Sequence, residues 1–485
     1  MIASEQPDTH RSDPRMLSLC IAGIVAITLW RLALLPFSTA ELYVDEAQYW
    51  FWGQTLDWGY YSKPPLIAWL LRLSTTLGAD TPFWIHAPLP IIHACTSLLI
   101  LASGRKLFGD RIGALAGLAF ATLPGVALAS LLVSTDTPML FFFASGLYAF
   151  MRLSDAPSLP WALALGGAIG LGLMSKYAMI YFPISALIAA ILVPKARIAW
   201  RDIAIAAAVA LLMISPNIWW NLTNDLTTLQ HTADNADLEG FQLEFGKLLE
   251  FWAGQFAVSG PILFAAFLLA LRTAPRAPER TFLMVMALPT LAIVSVQALL
   301  SGANANWAAA GHVAAVILGV SWLASAPSLL RASFAINTGI ALALPVLVIF
   351  ADTLRIGSGN LLMERYIGMG AISARAEAVA KREGIDTIVA GRRALLADMF
   401  YTLRDSGLTI RAVPPEGFPE HHYAQSYPLT DGPGEVLYVE RRVRPPAGCP
   451  DAEPIETWET DEGFYVGQMS AFRLPRSCWF PSGEG

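Results

Sequence analysis

The sequence predicts an α-helical polytopic membrane protein of about eleven spans that ends in a small α/β domain, and three observations predict it. Hydrophobic residues make up 55% of the chain and charged residues only 14%, against roughly 25% charged in soluble proteins. Apolar runs recur between residues 16 and 351, and a run of about 20 such residues crosses the ~30 Å hydrocarbon core as a helix. Beyond residue 351 the chain turns charged and rich in Pro and Gly, with short helix-type and strand-type patterns.

Residues 1–15 are polar and are expected to be a disordered cytoplasmic segment. The run 16–36 follows Arg11 and Arg15. A signal peptide cleaved near Ser38-Thr39-Ala40 is one reading; the run is longer than a usual h-region and many spans follow, so it reads as a first transmembrane helix. Further spans are expected at about 84–104, 112–132, 137–152, 161–175, 178–194, 203–220, 251–271, 281–300, 307–328 and 333–351. With the N-terminus inside, the inner loops carry Arg11, Arg15, Arg105, Lys106, Arg111, Arg152, Lys195, Arg197, Arg201, Arg272, Arg276, Arg280 and Arg331. The outer loops carry only Lys63, Arg72, Lys176 and Lys247. The positive-inside rule therefore places the loop 37–83 outside, and an odd number of spans places 352–485 there too.

That tail reads as a soluble α/β domain, with helical patterns near 371–383 and 392–405 and strand-type runs at 385–390, 408–413 and 435–441. The net charge of −6 says little by itself, and without a basic stripe or Arg-rich tail nothing points to nucleic acid. The four cysteines form no CxxC pair or metal-ligand cluster. Cys20 and Cys95 lie in apolar runs, whereas Cys449 and Cys478 are disulfide candidates if the tail meets an oxidising compartment such as the bacterial periplasm.

The chemistry-bearing residues gather on the outer side. Residues 41–67 hold Asp45, Glu46 and Lys63 among Tyr and Trp, too polar to cross a bilayer and too aromatic for an ordinary linker. Asp45 with Gln48 three residues on fits a helix N-cap with its capping box; an ionised capping carboxylate at a wet interface is also able to take a proton. Glu46 is about 100° further round a helix, so it reads as a supporting group. Lys63 precedes Pro64-Pro65, which pushes it extended and lets the prolines open a helix, setting its ammonium beside free N–H groups that suit a phosphate. A lysine snorkelling to the headgroups is the other reading.

Asp136 in Ser-Thr-Asp-Thr-Pro and Lys176 in Ser-Lys-Tyr fall at the same outer face, as helix cap and solvated charge or as lining of the same cavity. His86, His93 and His312 lie in or near spans, without the spacing of a metal site. After the seventh span come Asn217, Trp219, Trp220, Asn221, His231, Asp234 and Asp237, first of all an aromatic belt. Asn304 and Asn306, next to Trp307, offer neutral hydrogen bonds of the kind a sugar takes.

An outer Asp-Glu after the first span, the Trp-Gly-Tyr-Tyr-Ser-Lys-Pro-Pro-Leu-Ile-Ala-Trp run and an Asp-Thr-Pro before the fourth span together resemble the GT-C glycosyltransferases. The likeness is to the protein mannosyltransferase and aminoarabinose (lipid A) transferase superfamily, over residues 30–320. It implies a GT-C fold and transfer of a sugar from a polyprenyl-phosphate donor to a lipid A, other glycolipid or protein acceptor, on the periplasmic face of a bacterial inner membrane. By position Asp45 matches the catalytic base, Lys63 the donor-phosphate contact and Asp136 the acidic residue of the second outer loop. Glu46, Tyr60, Tyr61, Lys176, Asn306 and His312 are expected as supporting or substrate contacts. Aminoarabinose relatives carry an acidic residue before the Lys-Pro-Pro; Ser62 stands here, so a metal or amino-sugar contact from that position is not carried over. A divalent metal is not obligatory in this scheme. The rival readings are a transporter or flippase of lipid-linked sugars, which calls for charge at mid-membrane rather than at one face, and a structural subunit whose tail binds a partner.

Overall fold

Amide and carbonyl groups in lipid must be satisfied within the chain, so an apolar run there has little choice but to form a helix. In the computed structural model, which describes residues 14–234, 243–357 and 359–480, each apolar run of the sequence is helical. Among the described residues, six helices are long and apolar enough to cross a membrane: Pro14–Phe37, Pro82–Phe108, Trp200–Thr223, Pro278–Leu300, Ala305–Leu323 and Pro327–Ile349. The expected count of about eleven includes shorter elements that fall below that measure. The run 112–132 breaks before Pro124 into Asp110–Ala121 and Pro124–Ala129, while Asp136–Asp155, Leu159–Ser175 and Tyr181–Leu192 are single helices. The run 251–271, expected as one straight span, is a pair, Phe245–Ser259 and Pro261–Leu271, bent by 111°. The bend sits at Gly260, where φ is +82°, a conformation that favours glycine, and Pro261 opens the second helix. Of the segment 1–15 expected to be disordered, residues 1–13 lie outside the described ones, and Pro14 and Arg15 belong to the first helix. Asp237 also lies outside the described residues.

The chain divides into two units. One comprises the chain up to Leu35, Asp57–Leu70 and His86–Pro345; the other comprises Pro36–Leu56, Leu71–Ile85 and the chain from Val346 onward. The loop 37–83 is thus shared: its ends go with the tail, and its Lys63 segment goes with the spans.

The first unit has an extensive core in which Phe143, Phe150, Phe182, Phe264 and Phe282 are buried. Arg31 is also buried, and it donates to Ala121 O at 2.8 Å and Ser130 Oγ at 3.0 Å. A guanidinium inside an apolar bundle is tolerable only with such partners.

In the second unit a five-stranded sheet runs in the order Thr409–Ala412, Thr387–Ala390, Glu435–Arg441, Gly467–Pro475, Glu456–Thr460. The first three strands are parallel and the last two antiparallel. Helices Met369–Glu383 and Arg393–Thr402 match the expected helical patterns, and Cys449 and Cys478 are joined in a disulfide. A Cβ on Gly448 would lie 2.0 Å from Cys478 O, so only glycine fits beside that bridge. Helix Val44–Gln54, from the loop, packs on Arg393–Thr402, with Phe51 against Phe400 at 4.4 Å and Trp50 edge-on to Tyr401 at 4.9 Å. Glu41 accepts from the N–H groups of Met369 at 2.7 Å and Gly370 at 3.3 Å, satisfying amides that a helix N-terminus leaves unpaired.

Candidate active site

In the second unit, helix Val44–Gln54 begins one residue before Asp45, with Tyr43 at the cap position. This corrects the expected capping geometry. Glu46 sits three residues after the cap and accepts from Tyr43 N–H at 2.8 Å, so Glu46 and not Gln48 closes the N-terminus. Glu46 is only 2% exposed, in keeping with a structural carboxylate. Asp45 instead turns to the Arg393–Thr402 helix, where Arg393 Nη2 donates to its Oδ1. Arg393 Nε donates to Gln48 Oε1 at 2.8 Å. The Asp45 and Arg393 side chains are 42% and 38% exposed, so the pair is open to a ligand. Burial works against the charge on Arg393, but the adjacent Asp45 carboxylate outweighs it and raises the guanidinium above its ordinary range.

In the first unit, Lys63 stands in an irregular turn ahead of helix Leu66–Leu77. Tyr60 N–H donates to Lys63 O at 3.1 Å, and Pro65 O accepts from Trp69 at 3.2 Å, so the prolines open the helix as the sequence implied. Tyr60 and Tyr61 are both buried. Tyr60 Oη accepts from Asp57 N–H at 3.1 Å, and burial pushes its hydroxyl well up, which keeps it protonated. Asp57 accepts from Trp220 Nε1 at 2.7 Å, while Asn217 donates to Trp58 O at 2.7 Å and accepts from Tyr177 at 2.8 Å. The aromatic segment after the seventh span is thus tied to the Lys63 turn.

The same unit brings three predicted residues together. Asp136 Oδ1 accepts from Lys176 Nζ at 2.7 Å, and its Oδ2 accepts from Asn306 Nδ2 at 2.8 Å. The Asp136 side chain is 7% exposed and that of Lys176 21%. His312 is set apart from this trio: its ring nitrogens meet Ser259 Oγ and Gln255 Oε1, each at 2.8 Å, so neither is free for a substrate. Gln255 also donates to Ala305 O at 3.1 Å, beside Asn306, so His312 touches the trio only through a hydrogen-bonded chain. His93, buried, meets Thr137 at 3.2 Å. Arg393 and Asp57 were not singled out from the sequence. Nothing local marks Arg393, whereas Asn217 and Asn221, buried four residues apart on an apolar helix, are a readable signal. Among the described residues, no three His, Cys, Asp or Glu side chains converge as a metal site.

A helical membrane bundle with an acidic loop after its first span and a lysine before a helix N-terminus has the parts of a GT-C membrane glycosyltransferase. The family model of dolichyl-phosphate-mannose-protein mannosyltransferases matches residues 62–220. The chain is 40% identical to the lipid A galacturonosyltransferase RgtD of Rhizobium johnstonii, over 94% of this chain and 98% of that one. It is 32% identical to the lipopolysaccharide core galacturonosyltransferase RgtA of the same organism, over 42% and 41% of the two chains. The fold is similar to that of ArnT from Cupriavidus metallidurans, solved in the apo state and bound to undecaprenyl phosphate, at TM-scores of 0.66 and 0.65. In both comparisons the identity is 15%, and 92% of this chain and 97% of that one are covered. The protein belongs to the same family of membrane glycosyltransferases as RgtD, and it is a multi-pass membrane protein with the GT-C fold.

Proposed function

We propose that this glycosyltransferase moves a galacturonosyl residue from a polyprenyl-phosphate donor to a lipid A-type glycolipid on the periplasmic face of the inner membrane. The observation that carries the reading is the near full-length match to a lipid A galacturonosyltransferase. A polyprenyl-phosphate donor is supported by the ArnT structure that holds undecaprenyl phosphate.

In this reading Asp45 removes the proton of the acceptor hydroxyl as that oxygen bonds to C1 of the sugar, with inversion. The C1–O bond to the lipid phosphate breaks through an oxocarbenium-like state, and the electron pair leaves with the phosphate. Lys63 and the first amides of helix Leu66–Leu77 stabilise that departing charge. Asp136, Lys176 and Asn306 form a pre-set polar wall for the donor or acceptor, and Tyr60 and Tyr61 support the Lys63 turn. With these cations in place a divalent metal is not obligatory, and turnover is expected to persist in EDTA.

The test is transfer by the purified protein from undecaprenyl phosphate galacturonic acid to lipid A, read by mass spectrometry as a gain of one hexuronic acid residue. A protein that binds the donor but yields no such product would sink this reading.

A further inference from the structure

Arg393 Nη2 donates to the carboxylate of Asp45. Such a contact at Asp45 needs a reason, and the chemistry of a uronosyl donor supplies one. Resting on the reading of Asp45 as base and of the donor as a uronosyl lipid, we propose that Arg393, contributed by the C-terminal domain, recognises the carboxylate of the transferred sugar. A guanidinium has five N–H donors. Two are accounted for, Nε to Gln48 and one at Nη2 to Asp45. The Nη1 pair makes no hydrogen bond among the described residues, and the half-exposed side chain leaves it within a ligand's reach.

Arg393 is also held where it stands. It opens helix Arg393–Thr402 straight after strand Thr387–Ala390 and the two residues Gly391 and Arg392. That helix packs on the Asp45 helix through the Phe51–Phe400 and Trp50–Tyr401 contacts. A planar fork fixed in this way suits a carboxylate better than a flexible ammonium does. The carboxylate of a uronosyl ring is borne on C5, one ring oxygen away from the C1 that reacts. A group near Asp45, which addresses the hydroxyl at C1, is therefore placed to meet it. A neutral hexosyl donor brings no carboxylate to the guanidinium.

The experiment compares two donors that share one lipid, undecaprenyl phosphate galacturonic acid and undecaprenyl phosphate galactose. Their kcat/KM values with lipid A are measured for the full-length protein, Arg393→Lys and Arg393→Gln. The wild type is expected to favour the uronosyl donor, and both variants to lose that preference by about 10–100-fold, the worth of a charged hydrogen-bonded contact. Galactosyl transfer should change less than galacturonosyl transfer in Arg393→Gln, because a neutral sugar offers the guanidinium no carboxylate. Arg393→Lys keeps the charge without the fork, so a folded Lys variant with undiminished preference overturns the proposal. An equal fall with both donors also overturns it, and leaves Arg393 as a support for Asp45. A wild type that transfers galactose as well as galacturonate overturns it without touching the glycosyltransferase reading. A wild type that uses neither donor overturns both.

Discussion

Two adjacent carboxylates, Asp45 and Glu46, have separate tasks because a helix turns them to different neighbours. Glu46 closes the helix N-terminus, and Asp45 faces Arg393. Asp45→Asn keeps the shape and an acceptor for Arg393, so the protein should fold and bind donor while turnover falls about 10²–10⁴-fold, the usual worth of a general base. Wild-type turnover in a folded Asp45→Asn protein would rule out its role as base. Glu46→Ala should instead cost about 1 kcal/mol of stability through the lost cap, seen as a lower unfolding temperature.

A third carboxylate tests the tail. Asp398 is buried, which raises it from an ordinary 3.8 to about 6 against the hydrogen bonds from Ser373 and Thr402. The folded state therefore binds this proton more tightly than the unfolded one. The associated stability is present in full below about pH 3.8 and is lost as pH rises through about 6. Asp398→Asn, which cannot ionise, should be more stable than wild type at pH 7 by up to about 3 kcal/mol, with the advantage gone below pH 4. Unfolding temperatures of the two proteins across pH 4–8 check this.

Among the elements, the bent pair at Gly260 is the most exacting. A Cβ there would lie 1.9 Å from Asn337 Oδ1, and φ is +82°. Gly260→Ala should cost about 1–3 kcal/mol from backbone strain alone, read as a lower unfolding temperature in detergent. Adding Asn337→Ala should recover only the steric part of the loss. The Gly-Pro break is written in the sequence, but apolarity runs on through it, and hydropathy reads one span where two helices meet at an angle. The tail is where local pattern served best. Its helices and parallel strands follow the expected runs closely, because each is a contiguous apolar pattern in a polar setting. Strands Glu456–Thr460 and Gly467–Pro475 lay among turn residues, and only pairing with Glu435–Arg441 and each other makes them strands. The candidate site could be read only one residue at a time. Asp136, Lys176 and Asn306 could each be named, but the bonds that join them span 40 and 170 residues, and no local pattern records such a pairing.

For the whole molecule, the decisive quantity is which side of the membrane each segment occupies. With the eleven expected spans and the N-terminus inside, the inner loops would hold thirteen Lys or Arg up to residue 351 and the outer loops four, and such a bias favours that orientation. The Cys449–Cys478 bridge fits the same arrangement, since such bonds persist in oxidising compartments. The proposed periplasmic placement puts the tail on the same side of the membrane as the loop that holds Asp45. The test replaces Cys20 and Cys95 by Ser and introduces single cysteines as Leu56→Cys, Lys195→Cys and Phe418→Cys, at positions that are all exposed. A membrane-impermeant maleimide on cells with a permeabilised outer membrane should label positions 56 and 418. Position 195 should react only once the inner membrane is opened. The native pair, being bonded, should stay silent until reduced, and should then react from the same side as position 418. If position 418 is silent while 56 is labelled, the chain crosses an odd number of times between them. Arg393 could then not reach Asp45 from the periplasm, and the contact between their helices would have to be abandoned along with the role proposed for it.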